Sequence, residues 1–252
     1  MDIGLGVKVG NMQMSKIKIL ETISETPYSQ VAYCYLNDVK AVLKTKKEAI
    51  ITNSIATELE IHQFLKKFDL CPEILDYDLL NNRIVYEYIE YPVENSEYNQ
   101  VFLKIFGETL SKLHSLDYEN LAIDTFEEKI ESYRNMLSTS ATIEIQESFA
   151  LFDKLYEKPY KLAFCHNDLN TMNIFLNKNM KFIDWEYAGL NQPIYEIASI
   201  KKSFNLSSDQ LDIFLKAYGQ DFNPNEIEEF EVLVGFIEKI WQKVTNKLKT
   251  HR

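Results

Sequence analysis

Between Glu87 and Pro92 the hydrophobic pattern of this chain changes period, and that change limits the folds open to it. Upstream, apolar and polar residues alternate over short runs bounded by turn residues; downstream, apolar residues recur every three to four positions. Residues 17–23 read as a strand, followed by a turn over residues 24–29. Residues 31–36 and 39–43 flank Asn37-Asp38, a two-residue hairpin signal. The spacing of Ile61, Phe64, Leu65 and Phe68 predicts a helix over 54–68, and two more strands follow at 73–77 and 83–88, separated by Asn81-Asn82. Beyond Pro92, Val101, Phe102, Ile105, Phe106, Leu110 and Leu113 share one helical face. Helices are also expected over 126–137, 143–156, 207–218 and 225–248, the last with Asn225 as a cap after Pro224. One short β island, 162–176 with 180–183, interrupts this helical part. The first fifteen residues read as a loose lead-in. The expected class is α+β: an antiparallel β lobe with one helix over residues 1–90, a mainly helical lobe over 91–252, and a ligand cleft at the hinge between them.

Composition narrows the function. The 252 residues are 46% hydrophobic and 26% charged, as in an ordinary globular chain. No apolar run reaches about 18 residues, so no membrane span is expected. The start lacks the apolar core of an export signal, and a cytoplasmic protein is expected. Lys and Arg total 27 against 38 Asp and Glu, a net charge of −11. Such a surface repels a phosphate backbone, so nucleic acid is not an expected partner, whereas a cationic small molecule suits it. ATP would need local cations. Cys34, Cys71 and Cys165 form neither a disulfide framework nor a zinc pattern and read as free thiols in a reducing compartment.

The densest chemistry is Phe164-Cys165-His166-Asn167-Asp168-Leu169-Asn170-Thr171-Met172-Asn173-Ile174, with Asp184 eleven residues beyond Asn173 in Phe182-Ile183-Asp184-Trp185-Glu186-Tyr187. Apolar strands bracket both clusters, and carboxylates in such surroundings need partners. A divalent cation is the obvious one. Mg²⁺ takes oxygen ligands and shares them with substrate phosphates; the Asn173 carbonyl and the Asp184 carboxylate suit it. Asp168 would then accept a proton from a hydroxyl nucleophile. His166 reads as a loop organiser.

His166-Asn167-Asp168 with Asn173, followed by Ile183-Asp184-Trp185-Glu186-Tyr187, resembles the aminoglycoside phosphotransferase and choline kinase superfamily, and most of all the bacterial choline kinases. The likeness covers the chain in outline and is strongest over residues 164–200. It implies a two-lobed, protein-kinase-like fold and ATP- and Mg²⁺-dependent phosphoryl transfer to an alcohol. Asp168 would be the catalytic base at the acceptor hydroxyl, Asn173 and Asp184 the metal ligands, and Glu186 a support for the metal or its waters. In Ala41-Val42-Leu43-Lys44, Lys44 matches the nucleotide lysine, with Lys40 as rival; its partner would be Glu58, with Glu60 as alternative. The Glu87 carbonyl and the Ile89 N–H would hold adenine. His114 reads as structural, and Glu196 as a brace for the catalytic loop.

Two features depart from the family pattern. The turn between the first two strands contains no glycine; only Ser24, Thr26 and Ser29 offer hydroxyls to phosphates. The aromatic segment that would enclose a quaternary ammonium is thin, with Tyr187, Phe236 and Trp241 as its candidates; Trp241, at helical spacing from Ile237, reads more readily as core. The expected acceptor is choline, with ethanolamine, thiamine and aminoglycosides as rivals and a non-catalytic pseudokinase as the alternative. A monomer or homodimer is expected.

Overall fold

The computed structural model describes residues 16–26, 28–47, 52–90, 98–139, 141–158 and 160–250. The lead-in, Pro27, and Tyr91-Pro92 of the expected hinge lie outside these residues. Two compact units emerge, one from Met1–Glu48 with Glu73–Tyr88, the other from Ala49–Pro72 with Ile89–Arg252.

The first unit is one antiparallel sheet. Its strands are β1 (Ile17–Glu25), β2 (Ser29–Leu36), β3 (Val39–Lys46), β4 (Ile74–Asp78) and β5 (Arg83–Glu87), in the order β1-β2-β3-β5-β4. Asn37 and Asp38 take φ of 48° and 67°, the left-handed pair that a two-residue hairpin requires. Alternation puts Cys34, Leu36, Ala41, Leu43 and Val85 on one buried face, with Ile17 packed against them. β1 is an edge strand with register shifts at Leu20 and Ile23, bulges that roughen an otherwise open edge.

The second unit holds α1 (Ile55–Lys66), α2 (Gln100–His114), α3 (Phe126–Leu137), α4 (Ile143–Tyr156), α5 (Pro193–Ser203), α6 (Ser208–Tyr218) and α7 (Pro224–Thr250). Four three-residue strands lie among them: β6 (Ala163–Cys165), β7 (Ile174–Leu176), β8 (Met180–Phe182) and β9 (Gly189–Asn191). Ser54, Asn99, Thr125, Thr142 and Ser207 cap their helices by accepting first-turn N–H groups. Helix α2 presses against α6 at Gly107, where a Cβ would lie 2.4 Å from the Phe214 carbonyl oxygen. Phe106 anchors the core there, with ring centroids 5.2 Å from Phe214 and 5.3 Å from Phe204. No helix among the described residues is long and apolar enough to cross a membrane.

Three features differ from expectation. Helix α5 and strand β9 carry no signal that a period could reveal: α5 buries Pro193 to Ala198 and Ile200, so it shows no polar face, and β9 is too short to alternate. The cap of α7 is Asn223, not Asn225; its Oδ1 accepts the Asn225 N–H at 3.0 Å. The reason is local: Pro224 has no N–H to offer and fits the first helical position, which puts the cap one residue before it.

Candidate functional site

Strand pairing brings two polar loops of the helical unit side by side. β6 pairs with β9 and β7 with β8, so residues 166–173 and 183–188 run next to each other. The Ile183 N–H donates to the Asn173 carbonyl at 3.0 Å. His166 donates its Nε2–H to the Ile183 carbonyl at 2.8 Å. Asn167 and Asp184 turn the chain in left-handed conformation, with φ of 64° and 66°.

This arrangement gathers Asp168, Asn173, Asp184 and Glu186. Asn173 Nδ2 donates to the Asp168 carbonyl at 2.9 Å and to its Oδ2 at 3.3 Å, which turns the amide oxygen of Asn173 away from Asp168. Asn170 Nδ2 reaches the same Oδ2 at 3.5 Å. Burial pushes the Asp168 carboxyl up to about 7, and the negative charges of Asp184 and Glu186 push the same way. A set of hard oxygen donors crowded enough to help raise one carboxyl into the neutral range fits a divalent cation, which offsets that charge.

Glu196, on α5, fixes the start of the first loop. Its carboxylate is fully buried and accepts the Asn167 N–H at 2.7 Å and the His166 N–H at 3.2 Å. It also bonds His114 Nε2 at 2.7 Å, and His114 Nδ1 meets the Tyr218 hydroxyl at 2.9 Å. Burial alone would raise the Glu196 carboxyl; the hydrogen bond and charge of His114, with the Asn167 loop amide, hold it below its ordinary range. His166 is buried and held below its ordinary value by that burial, so it is neutral, with the proton on Nε2.

The second loop carries the aromatic candidates. Trp241, half-buried on α7, donates its indole N–H to the Tyr187 hydroxyl at 2.9 Å, so the two predicted substrate residues meet. Burial raises the Tyr187 phenol, and the charges of Glu186 and Asp168 add to it. Tyr133 feels Glu186, and Tyr195 feels Asp168 and Glu238, in the same sense. Phe236 instead lies under Lys239, whose ammonium is 5.5 Å from its ring.

The remaining predicted residues sit as follows. Lys44 is buried on β3, opposite Val31 and Ile84. Its rival Lys40 lies over the Tyr88 ring at 3.6 Å, a cation–π contact. On α1, Glu58 is buried and Glu60 exposed. Glu87 ends β5, its side chain accepting the Glu73 N–H at 3.0 Å, and Ile89 follows two residues later, half-buried. Ser29 opens β2; its hydroxyl is 3.3 Å from that of Thr26, which accepts the Tyr28 and Ser29 N–H groups and shapes the turn without glycine. Sequence reasoning missed Asn53, Lys129, Tyr133 and Tyr195. Tyr195 lies on the helix that shows no period, and the other three are brought in by tertiary packing from distant segments.

Compared with known families, residues 34–230 match the phosphotransferase enzyme family. The chain is 27% identical over 183 residues to the protein LicA homolog of Mycoplasma capricolum subsp. capricolum, covering 71% of this chain and 74% of that protein. It is 21% identical over 287 residues to ethanolamine kinase 1 of Mus musculus, covering 92% of this chain and 78% of that protein. Among solved structures, choline kinase LicA from Streptococcus pneumoniae aligns with a TM-score of 0.75 at 18% identity, covering 92% of this chain and 86% of that one. This likeness carries the fold, which is two-lobed and protein-kinase-like.

Proposed function

This chain belongs to the phosphotransferase enzyme family, with a choline/ethanolamine kinase-like fold, and we propose that it moves the γ-phosphoryl group of ATP to the hydroxyl of a small cationic amino alcohol, choline first. The observation that carries this reading is the meeting of Asp168, Asn173, Asp184 and Glu186 beside the Tyr187–Trp241 pair. Oxygen-rich side chains for phosphate chemistry and aromatic faces for a cation then stand on the same pair of loops.

In the proposed reaction Asp168 accepts the proton of the acceptor hydroxyl as its oxygen bonds to the γ-phosphorus. The bond from that phosphorus to the β-phosphate oxygen breaks, and ADP departs. Asn173 and Asp184 would hold Mg²⁺, with Glu186 supporting it; when bound, the ion neutralises charge on the phosphoryl oxygens. Glu196 keeps the loop amides fixed, so Asp168 needs little rearrangement at the moment of transfer. Tyr187 and Trp241 would offer ring faces to a trimethylammonium group, which cannot donate a hydrogen bond. Lys44, Glu58, Ser29, the Glu87 carbonyl and the Ile89 N–H are assigned to the nucleotide, so residues 1–90 are proposed to serve nucleotide binding and 91–252 catalysis, a division of roles rather than of the two compact units, since α1 with Glu58 belongs to the second. The buried thiols of Cys34, Cys71 and Cys165 fit a cytoplasmic setting.

The test is ADP release over choline, ethanolamine, thiamine and an aminoglycoside. Choline is expected to give the highest kcat/KM. Asp168→Asn should lower kcat by about 10³-fold or more while the chain stays folded. Turnover of kanamycin alone would move the acceptor to the aminoglycosides. Nucleotide binding without transfer to any alcohol would make the chain a pseudokinase.

A further inference from the structure

Four consecutive main-chain carbonyls, Trp185 to Ala188, are each held by a donor from elsewhere in the helical unit. Asn53 Nδ2 donates to the Trp185 carbonyl at 3.1 Å and to that of Ala188 at 2.9 Å. The Asn53 backbone N–H donates to the Glu186 carbonyl at 2.7 Å. Lys129, on α3, donates its ammonium to the Tyr187 and Ala188 carbonyls, both at 3.0 Å. Asn167 Nδ2 adds a bond to the Tyr187 carbonyl at 3.2 Å. The Lys129 ammonium also lies 3.5 Å from Asn53 Oδ1, which settles that the Asn53 amide presents its nitrogen to the carbonyls.

A tight turn with all its carbonyls captured from outside has little freedom. Its first residue follows Asp184, which sits in left-handed conformation, and its second is Glu186. Any rotation of the turn re-aims both carboxylates. Asn53 immediately precedes Ser54, the cap of α1, and Glu58 lies in the first turn of that helix. The start of α1 and the Asp184–Glu186 turn are therefore tied through one residue placed outside the reacting groups.

We infer that Asn53, seconded by Lys129, is a positioning residue that sets the aim of Asp184 and Glu186 and so the affinity of this site for a divalent cation with nucleotide. The inference rests on the function proposed above. Groups that orient ligands without binding the ion commonly shift affinity by about 10–100-fold.

The experiment measures Mn²⁺ binding by electron paramagnetic resonance on the full chain, with a non-hydrolysable ATP analogue, beside thermal melting of each variant. Asn53→Asp keeps size and the backbone N–H but turns a second acceptor toward two carbonyls; Lys129→Met removes the ammonium independently. Each is expected to weaken Mn²⁺ binding about ten-fold or more. Lys129→Arg, which keeps donors in place, should restore binding, a rescue that lost stability alone would not produce. Folded Asn53→Asp and Lys129→Met variants that bind Mn²⁺ within about two-fold of wild type would overturn the inference and leave the proposed function standing. A wild-type chain that binds neither Mn²⁺ nor the analogue would overturn both.

Discussion

His166 shows how one buried side chain couples the loop of residues 166–173 to pH. Its ring packs against Trp185, with centroids 4.5 Å apart, and its Nε2–H is committed to the Ile183 carbonyl, which can only accept. Burial holds the folded pKa below the ordinary 6.5, so between the two values the unfolded chain binds a proton that the native chain does not. The contribution of this group to stability therefore falls as pH drops below about 6.5, until its folded pKa is reached. Glu196 acts lower down: its folded carboxyl lies below the ordinary 4.5, so its contribution is complete above that value and is lost as pH falls through the folded pKa. Asp168, raised to about 7 when folded, acts in the opposite sense: the native chain holds its proton where the unfolded chain does not, so its contribution grows as pH falls from about 7 toward the ordinary 3.8. The share of His166 is therefore read as a difference: relative to the parent chain, His166→Gln should melt higher at about pH 5 than it does at about pH 7, with the more acidic limb intact. A difference between variant and parent that is the same at both pH values would remove His166 as a source of the pH dependence. Asp168, Asn173 and Asp184 were legible in the sequence because polar side chains between apolar strands stand out. Asn53 and Lys129 were not, since their partners lie 132 and 58 residues away and a one-dimensional pattern holds no trace of such pairs.

Among the elements, the crossing of α2 and α6 is closely constrained. A Cβ on Gly107 would meet the Phe214 carbonyl oxygen at 2.4 Å and the Tyr218 nitrogen at 2.9 Å, both backbone atoms that side-chain rotation cannot move. Gly107→Ala should cost about 1–3 kcal/mol in urea unfolding. Gly235, inside α7, is the contrast: the nearest atom to its Cβ would be the Lys202 ammonium at 3.5 Å. There alanine should be neutral or stabilise by up to about 1 kcal/mol, through helix propensity alone. Equal effects at the two positions would remove the crossing as the cause. Amphipathic helices such as α3 and α4 are readable in the sequence at their observed bounds, because one face is wet and the other dry. Helix α5 is not, because it is buried on nearly every side and its residues carry no contrast between faces.

For the molecule as a whole, ligand binding and stability should be linked. Nucleotide with Mg²⁺ at about 100 times its Kd should add about 2.7 kcal/mol to the unfolding free energy, visible as a higher melting temperature that EDTA abolishes. A melting temperature indifferent to both would contradict nucleotide binding at this site. Another property belongs to the chain in its entirety. Among the described residues, the non-glycine positions with positive φ are Asn37, Asp38, Asp69, Asn82, Asn167, Asp184 and Asn205, every one Asn or Asp, in a chain with only 7 glycines. Corners that other sequences would make with a bare methylene here carry an amide or a carboxylate. Each bend can thus double as an anchoring group, as Asp69 does for Asn179 and Lys181. The unfolded chain also has fewer conformations to surrender than a glycine-hinged chain would. Replacing these corners with glycine would ease the backbone locally yet enlarge the ensemble that folding must collapse, so their chemistry and their economy of motion are inherited together.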